Sequence, residues 1–161
     1  MSLELGGAPS AVEGTRAYHA LKVGDVGGGG QTNPLWLSDV SSDALRTAIE
    51  TSLRNLGYLA SDDARAGYVV TADIVDIDRP AGIKDPVLML SPINVDVTIR
   101  IHYTVTRVGG GKPVFDETLA ATGAATADDA LTADARLRKA NEAAVRGDIQ
   151  VFLKQLRTAW K

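Results

Sequence analysis

Residues 93–106 alternate apolar and polar side chains without interruption, and this pattern restricts the fold more than any other part of the chain. Successive side chains of a β-strand point to opposite faces, so the alternation is typical of a strand with one buried face. The apolar set is Ile93, Val95, Val97, Ile99, Ile101, Tyr103 and Val105, and the polar set is Asn94, Asp96, Thr98, Arg100, His102, Thr104 and Thr106. We therefore predict a half-buried strand whose polar face is wet or covered by a partner.

A second pattern, at helical spacing, lies earlier in the chain. Leu45, Ala48, Ile49, Ser52, Leu53 and Leu56 form a single stripe on a helix. Ser41, Ser42 or Asp43 can cap its start, because their side-chain oxygens accept hydrogen bonds from free backbone N–H groups. Gly57 follows, where a left-handed residue commonly ends a helix. The spacing predicts a helix over 43–56.

The remaining periodicities complete the element order. Shorter alternations predict strands over 17–26, 67–78 and 113–123, a Gly109–Gly111 turn joins the last two strands, and a long apolar stripe predicts a helix over 128–156. We predict an α+β fold of two layers in the order β-α-β-β-β-α, with a four-stranded mixed sheet and both helices on one face. Residues 17–161 are expected to form one domain, and the Gly-, Ala- and Ser-rich stretch 1–16 a flexible leader.

Composition excludes several classes of protein. The chain has 161 residues, no Cys, and 17 Lys and Arg against 20 Asp and Glu, for a net charge of −3. The absence of Cys excludes disulfides, Cys-ligated zinc and thiol catalysis. No basic run is present, so we expect no nucleic-acid partner. No apolar run is long enough to span a membrane, and the first residues do not resemble a signal peptide.

Two groups of polar residues are candidates for a chemical site. His102 lies on the polar face of the 93–106 strand, where Asp96 or Arg100 would be its partner in a small hydrolase or transferase. Asp73, Asp76, Asp78 and Asp96 could gather near one sheet edge as oxygen ligands. Period-two geometry points Asp73 and Asp76 to opposite faces, however, which disfavours a shared ion. We predict no metal site, no cofactor and no catalytic residue.

Apolar side chains in two loops are the predicted contact residues. Trp36 lies in the connection before the first helix, and Leu88, Met89 and Leu90 lie in the proline-rich connection 79–92. Apolar residues in a loop either fold onto the open sheet face or mark a partner or lipid contact. Both alternatives remain open at the level of sequence.

Several short segments resemble bacterial cell-envelope proteins. They are Val23–Val26, Thr32–Trp36, Leu53–Tyr58, Phe115–Thr118 and Ala140–Arg146. The chain resembles a family of uncharacterised proteobacterial lipoproteins. In layout it is also similar to the auxiliary lipoproteins of envelope transport and lipopolysaccharide assembly. This resemblance implies export across the inner membrane and a lipid-anchored N-terminus that tethers the periplasmic domain to the outer membrane. The chain departs from the family in lacking a signal peptide and a lipobox Cys.

These observations lead to one functional expectation and two alternatives. We expect a non-catalytic, envelope-associated binding or assembly accessory protein with an envelope protein or lipid partner, whose membrane association depends on an N-terminal lipid anchor absent from this chain. The first alternative is a small hydrolase or transferase that uses His102. The second is a homo-oligomer that buries the polar sheet face against another copy.

Overall fold

A computed structural model describes residues 8–28, 40–79 and 94–160 of the chain. Its strands are β1 (Leu21–Gly27), β2 (Tyr68–Asp78), β3 (Val95–Arg107) and β4 (Phe115–Ala125), and its helices are α1 (Ser42–Asn55) and α2 (Ala133–Ala159). A short 3₁₀ turn, Asp63–Arg65, precedes β2. The element order is the one that the sequence predicts.

The four strands form one mixed sheet in the order β1-β2-β3-β4. β1 runs parallel to β2, since α1 crosses over between them, whereas β2, β3 and β4 form an antiparallel meander. α1 packs beside β1 and α2 packs over β3 and β4. The buried core lies between this helix layer and the alternating apolar face of β3, with Ile99, Ile101 and Tyr103 fully buried. The predicted two-layer α+β fold is confirmed.

α1 begins and ends as its sequence indicates. The Ser41 side chain accepts a hydrogen bond from the Ala44 N–H and caps the helix. Gly57 follows the last turn at a φ of +77°, a left-handed conformation that a side chain would strain. Tyr58 is buried immediately after it. The predicted range 43–56 is therefore displaced by only one residue.

The start of β1 differs from the prediction. Pairing with β2 begins at Leu21 rather than at residue 17. Residues 12–19 form turns instead, and His19 adopts a φ of 49° that is incompatible with a strand. The described part of the predicted leader contacts the domain, since the Tyr58 hydroxyl donates to the Pro9 carbonyl at 2.9 Å. Alternation alone did not reveal this turn.

α2 begins five residues later than the sequence pattern suggested. Thr132 is its N-cap, accepting from the Ala135 N–H. The predicted start of this helix is Asp128 or Asp129. Asp129 instead closes a preceding turn by accepting from the N–H and the hydroxyl of Thr126. These hydrogen bonds lower the pKa of Asp129 below its usual value, because they favour the charged carboxylate. Asp129 therefore stabilises the turn rather than the helix.

A β-bulge at Val75 changes which face of the sheet the last side chains of β2 point to. The pairing with β3 passes from Ile74–Ile101 directly to Asp76–Arg100, which leaves Val75 unpaired and 60% exposed. One extra residue reverses the alternation beyond it. Asp76 consequently lies on the same face as Asp73, contrary to the period-two prediction.

Gly123 allows α2 to lie directly on β4. A β-carbon built at this position would lie 2.1 Å from the Ala140 carbonyl oxygen and 2.3 Å from the Ala144 nitrogen. Both are backbone atoms of α2, so they have no rotamer through which to move away. Glycine inside a strand is characteristic of such a close approach, and here it sets the distance between the two layers.

Among the described residues, no helix is both long and apolar enough to cross a membrane.

Candidate functional site

The polar face of the sheet lies opposite the two helices. We define this open face by the outward side chains of β2, β3 and β4: Val69, Thr71, Asp73, Asp76, Asp78, Asp96, Thr98, Arg100, His102, Thr104, Thr106, Asp116, Thr118, Ala120, Thr122 and Ala124. Even small side chains on it, such as Ala120 and Ala124, are exposed. Neither helix nor any described loop covers it.

Polar side chains on the open face pair across neighbouring strands. The Thr98 and Thr122 hydroxyls lie 2.8 Å apart, and Arg100 donates to the Asp76 carboxylate. These cross-strand pairs hold the side chains in place along the sheet. Since Arg100 and Asp76 are both about half exposed, water screens their attraction, and it adds little to stability.

His102 lies within a small hydrogen-bonded cluster at the middle of this face. Its Nε2 lies 3.0 Å from Oδ1 of Asp116, and its Nδ1 lies 3.0 Å from the Thr118 hydroxyl. The Thr104 hydroxyl lies 3.3 Å from Nε2. The ring is held from both sides, although 38% of the side chain remains exposed.

The partner of His102 is therefore not one of the two that the sequence suggested. Arg100 pairs with Asp76, because the Val75 bulge turns that carboxylate to the open face. Asp96 precedes His102 by six residues on β3, a distance of about 20 Å along a strand. Asp116 is instead brought beside His102 by the β3–β4 register, in which Thr104 faces Asp116 and His102 faces Thr118.

We predict opposite neutral tautomers for the two histidines. The carboxylate of Asp116 only accepts, so His102 carries its proton on Nε2, while Nδ1 accepts from Thr118. His19 has its Nδ1 2.7 Å from the Leu59 carbonyl oxygen and carries its proton there. The ¹⁵N chemical shifts of the ring nitrogens, recorded at a pH where both rings are neutral, measure the two tautomers. His19 is the internal reference. A protonated Nδ1 in neutral His102 would contradict this arrangement, and Asp116→Ala should remove the preference.

A cleft of about 560 Å³ lies at the start of β4, and Asp116, the partner of His102, is among the residues that line it. Phe115 and Glu117 form one wall, and Lys154, Gln155 and Thr158 near the end of α2 form the other. Among the described residues, no three His, Asp or Glu side chains gather as a metal site.

The most perturbed carboxyl group lies inside the core. Asp148 of α2 is 0% exposed and faces the Tyr103 hydroxyl of β3 without a well-formed hydrogen bond among the described residues. Burial raises the pKa of Asp148 to about 7, because the apolar surroundings disfavour its charged form, and Tyr103 only partly offsets this effect. Burial also raises the pKa of Tyr103 well above its usual value. Phe152 stacks on the Tyr103 ring with centroids 4.3 Å apart, so this pair is enclosed and does not face a substrate.

Sequence reasoning missed Asp148, although a signal was present. The position lies within the buried stripe of α2, four residues after Ala144 and four before Phe152. A carboxylate within an apolar stripe indicates either burial in a neutral form or a charged partner.

The predicted contact residues Trp36, Leu88, Met89 and Leu90 lie outside the described residues. The ends of their two connections are described. One connection leaves β1 at Gly28 and the other leaves β2 at Arg79, and parallel neighbours end at the same side of a sheet. Both connections therefore join the domain at one end of the sheet.

Solved structures share this fold. A DUF330 protein from Xanthomonas campestris, XCC0632, has a TM-score of 0.60 at 11% identity, covering 96% of this chain and 89% of its own. A Caulobacter crescentus protein provisionally described as a lipoprotein has a TM-score of 0.53 at 13% identity, covering 84% and 88%. Hypothetical protein CT253 from Chlamydia trachomatis has a TM-score of 0.53 at 11% identity, covering 88% and 95%. At these identities the likeness shows a common fold.

No family model and no curated protein matches the sequence.

Proposed function

We propose that this chain is a non-catalytic accessory domain of the bacterial envelope that acts by binding or assembly. The observation that carries the proposal is the open face, where an exposed sheet surface bears polar side chains that pair with one another. A catalytic centre aims its groups at a position where a substrate can sit. Here the polar groups lie along a surface, which suits contact with another macromolecule.

The location of the domain forms part of the same proposal. The Caulobacter crescentus neighbour is described as a lipoprotein, and the Xanthomonas campestris neighbour belongs to DUF330. We infer a periplasmic domain, tethered to the outer membrane through a lipidated N-terminal segment. Residues 8–11 pack beside the end of α1, so such a tether would approach the domain at the β1 side of the sheet. An accessory role in envelope transport or in lipopolysaccharide assembly is part of the same proposal.

We further propose that Trp36, Leu88, Met89 and Leu90 contact an envelope protein or lipid partner. Their connections join the sheet at one end, so a single partner can contact both. Trp is a frequent anchor of protein interfaces, and adjacent apolar side chains exposed in a loop mark contacts with proteins or membranes. The polar pairs of the open face would then flank the interface.

Capture of partners from an envelope extract tests this proposal. We expect wild type to retain a partner that Leu88→Asp/Leu90→Asp loses, because a buried charge opposes docking of these side chains. The matched control is Val12→Asp/Val108→Asp, which places the same charges on exposed residues near the opposite end of the sheet. The control should capture as wild type does. Identical capture by all three proteins would contradict the role of Leu88 and Leu90.

The His102–Asp116 pair favours one alternative function, a small hydrolase or transferase. A carboxylate 3.0 Å from an imidazole can orient it as a general base. Turnover of generic ester or phosphoester substrates that His102→Ala abolishes would support this alternative, and equal turnover by wild type and variant would remove it.

A further inference from the structure

The open face carries an excess of negative charge. Its acidic side chains are Asp73, Asp76, Asp78, Asp96 and Asp116, and they stand against the single arginine Arg100. Lys22 of the neighbouring strand β1 is paired with Val69, so it lies at the border of the open face and adds a second positive charge. Five acidic groups against two basic groups give this surface a formal charge of −3, so its complement is a basic surface.

Two open faces are poor partners for each other. A two-fold arrangement that joined them would place one set of aspartates against the other, and like charges in contact are strongly unfavourable. The homo-oligomer in which each copy buries its polar face against the same face is therefore disfavoured by charge.

The outer surface of α2 has the opposite charge. Its accessible charged residues are Arg138, Lys139, Arg146, Lys154 and Arg157 against Asp134 and Glu142. Five basic groups against two acidic groups give a formal charge of +3. The other two charged residues of α2, Arg136 and Asp148, are buried and do not contribute. Because both helices lie on one side of the sheet, this basic surface and the open face are on opposite sides of the molecule.

The two surfaces also match in length. α2 has 27 residues, which corresponds to about 40 Å at the rise of an α-helix. β2 and β4 have 11 residues each, which corresponds to about 35 Å for a strand. A helix of this length laid along the meander would bring its basic residues over the aspartates from one end of the sheet to the other.

We propose that the open face binds the outer surface of α2 from a second copy of this chain. Such a contact is head-to-tail, since different surfaces of the two copies meet. It leaves one open face and one α2 surface free at the two ends, so it propagates into a ring or a filament. The contact is independent of Trp36 and Leu88–Leu90, and failure of one proposal leaves the other standing.

Sedimentation velocity of the full chain tests the proposal. At an ionic strength of about 0.01 M, where charges act over about 30 Å, the mass of wild type should rise with protein concentration. At about 1 M the range falls to about 3 Å and the protein should be monomeric. A wild type that stays monomeric at low salt would overturn self-docking and leave a basic surface of another protein as the occupant.

Charge reversal identifies the two surfaces. Asp73→Lys/Asp96→Lys makes the open face basic, and Lys139→Glu/Lys154→Glu makes the outer surface of α2 acidic. Each variant alone should be monomeric, and their equimolar mixture should associate, because each reversed surface then meets its complement in the other protein. The control is Arg54→Glu/Arg65→Glu, an equal charge change on exposed residues outside both surfaces, which should associate as wild type does. Association of either reversed variant alone, or no association of the mixture, would overturn the proposal.

Discussion

Asp148→Asn should stabilise the protein at pH 8 and leave its stability almost unchanged near pH 3. Asp148 is fully buried between α2 and β3, and its pKa of about 7 in the folded state exceeds the ordinary value of 3.8. An asparagine has nearly the same shape and carries no charge. The substitution therefore removes the cost of burying a carboxylate while preserving a polar group beside Tyr103.

The pH dependence follows from these two pKa values. Below pH 3.8 the carboxyl is protonated in both the folded and the unfolded state, so it does not affect the free energy of unfolding. Between pH 3.8 and about 7 the folded state binds more protons, and the wild type loses stability as the pH rises. Above pH 7 the loss is complete and amounts to at most about 4 kcal/mol, since one pKa unit corresponds to about 1.4 kcal/mol.

Urea denaturation of both proteins from pH 3 to pH 8 measures this difference. The curves of unfolding free energy against pH should coincide at acid pH and separate by a few kcal/mol at pH 8. Glu142→Gln is the control, because it changes an accessible acid on the same helix and should alter stability by no more than about 0.5 kcal/mol. A variant less stable than wild type at pH 8 would show that the carboxylate has a stabilising charged partner.

Gly123→Ala should destabilise the fold by about 3 kcal/mol or more. The added methyl group would lie 2.1 Å from the Ala140 carbonyl oxygen and 2.3 Å from the Ala144 nitrogen. Because both atoms belong to the helix backbone, α2 must move away from β4, which loosens the packing of Leu137 and Ile149 beneath it. Overpacking of this kind usually costs about 1–3 kcal/mol, and more when the backbone has to move.

Ala124→Val is the matched control for this prediction. It adds two methyl groups at the next residue of β4, on the exposed open face, and a β-branched residue suits a strand. Its unfolding free energy should remain within about 0.5 kcal/mol of wild type. Equal stability of Gly123→Ala and wild type would mean that α2 and β4 are not in backbone contact.

The sequence predicted the fold because its elements are locally consistent. The uninterrupted alternation of β3 and the capped stripe of α1 each have one structural solution. Element ends were less predictable. Asp129 is as good a helix cap by type as Thr132, and only the Thr126 turn, seen in the structure, decides which of them α2 uses.

The pairing of side chains in the candidate site could not be predicted from hydrophobic periodicity. The Val75 bulge reverses the faces of β2 beyond it, so Asp76 joins Asp73 on the open face and takes Arg100 as its partner. The partner of His102 was likewise a matter of register, which places Asp116 beside it across strands. Residues far apart in sequence meet only once pairing is known, which is why the sequence identified His102 but not Asp116.

Two buried positions, Gly123 and Asp148, left weaker signals in the sequence. Gly123 and Asp148 each break a local rule, since glycine weakens a strand and a carboxylate is costly in an apolar stripe. Such exceptions mark positions where another element comes unusually close. The identity of that element, the α2 backbone for Gly123 and Tyr103 for Asp148, required the structure.

A side-by-side capture experiment with His102→Ala and Leu88→Asp/Leu90→Asp tests the central claim, that this domain binds a partner through the connections at one end of the sheet. Both variants and wild type are presented to the same envelope extract, and the amount of retained partner is measured by quantitative mass spectrometry. Binding through the connections at one end of the sheet predicts wild-type retention by His102→Ala and loss of the partner by Leu88→Asp/Leu90→Asp. Loss of the partner in His102→Ala together with full retention by Leu88→Asp/Leu90→Asp would contradict it.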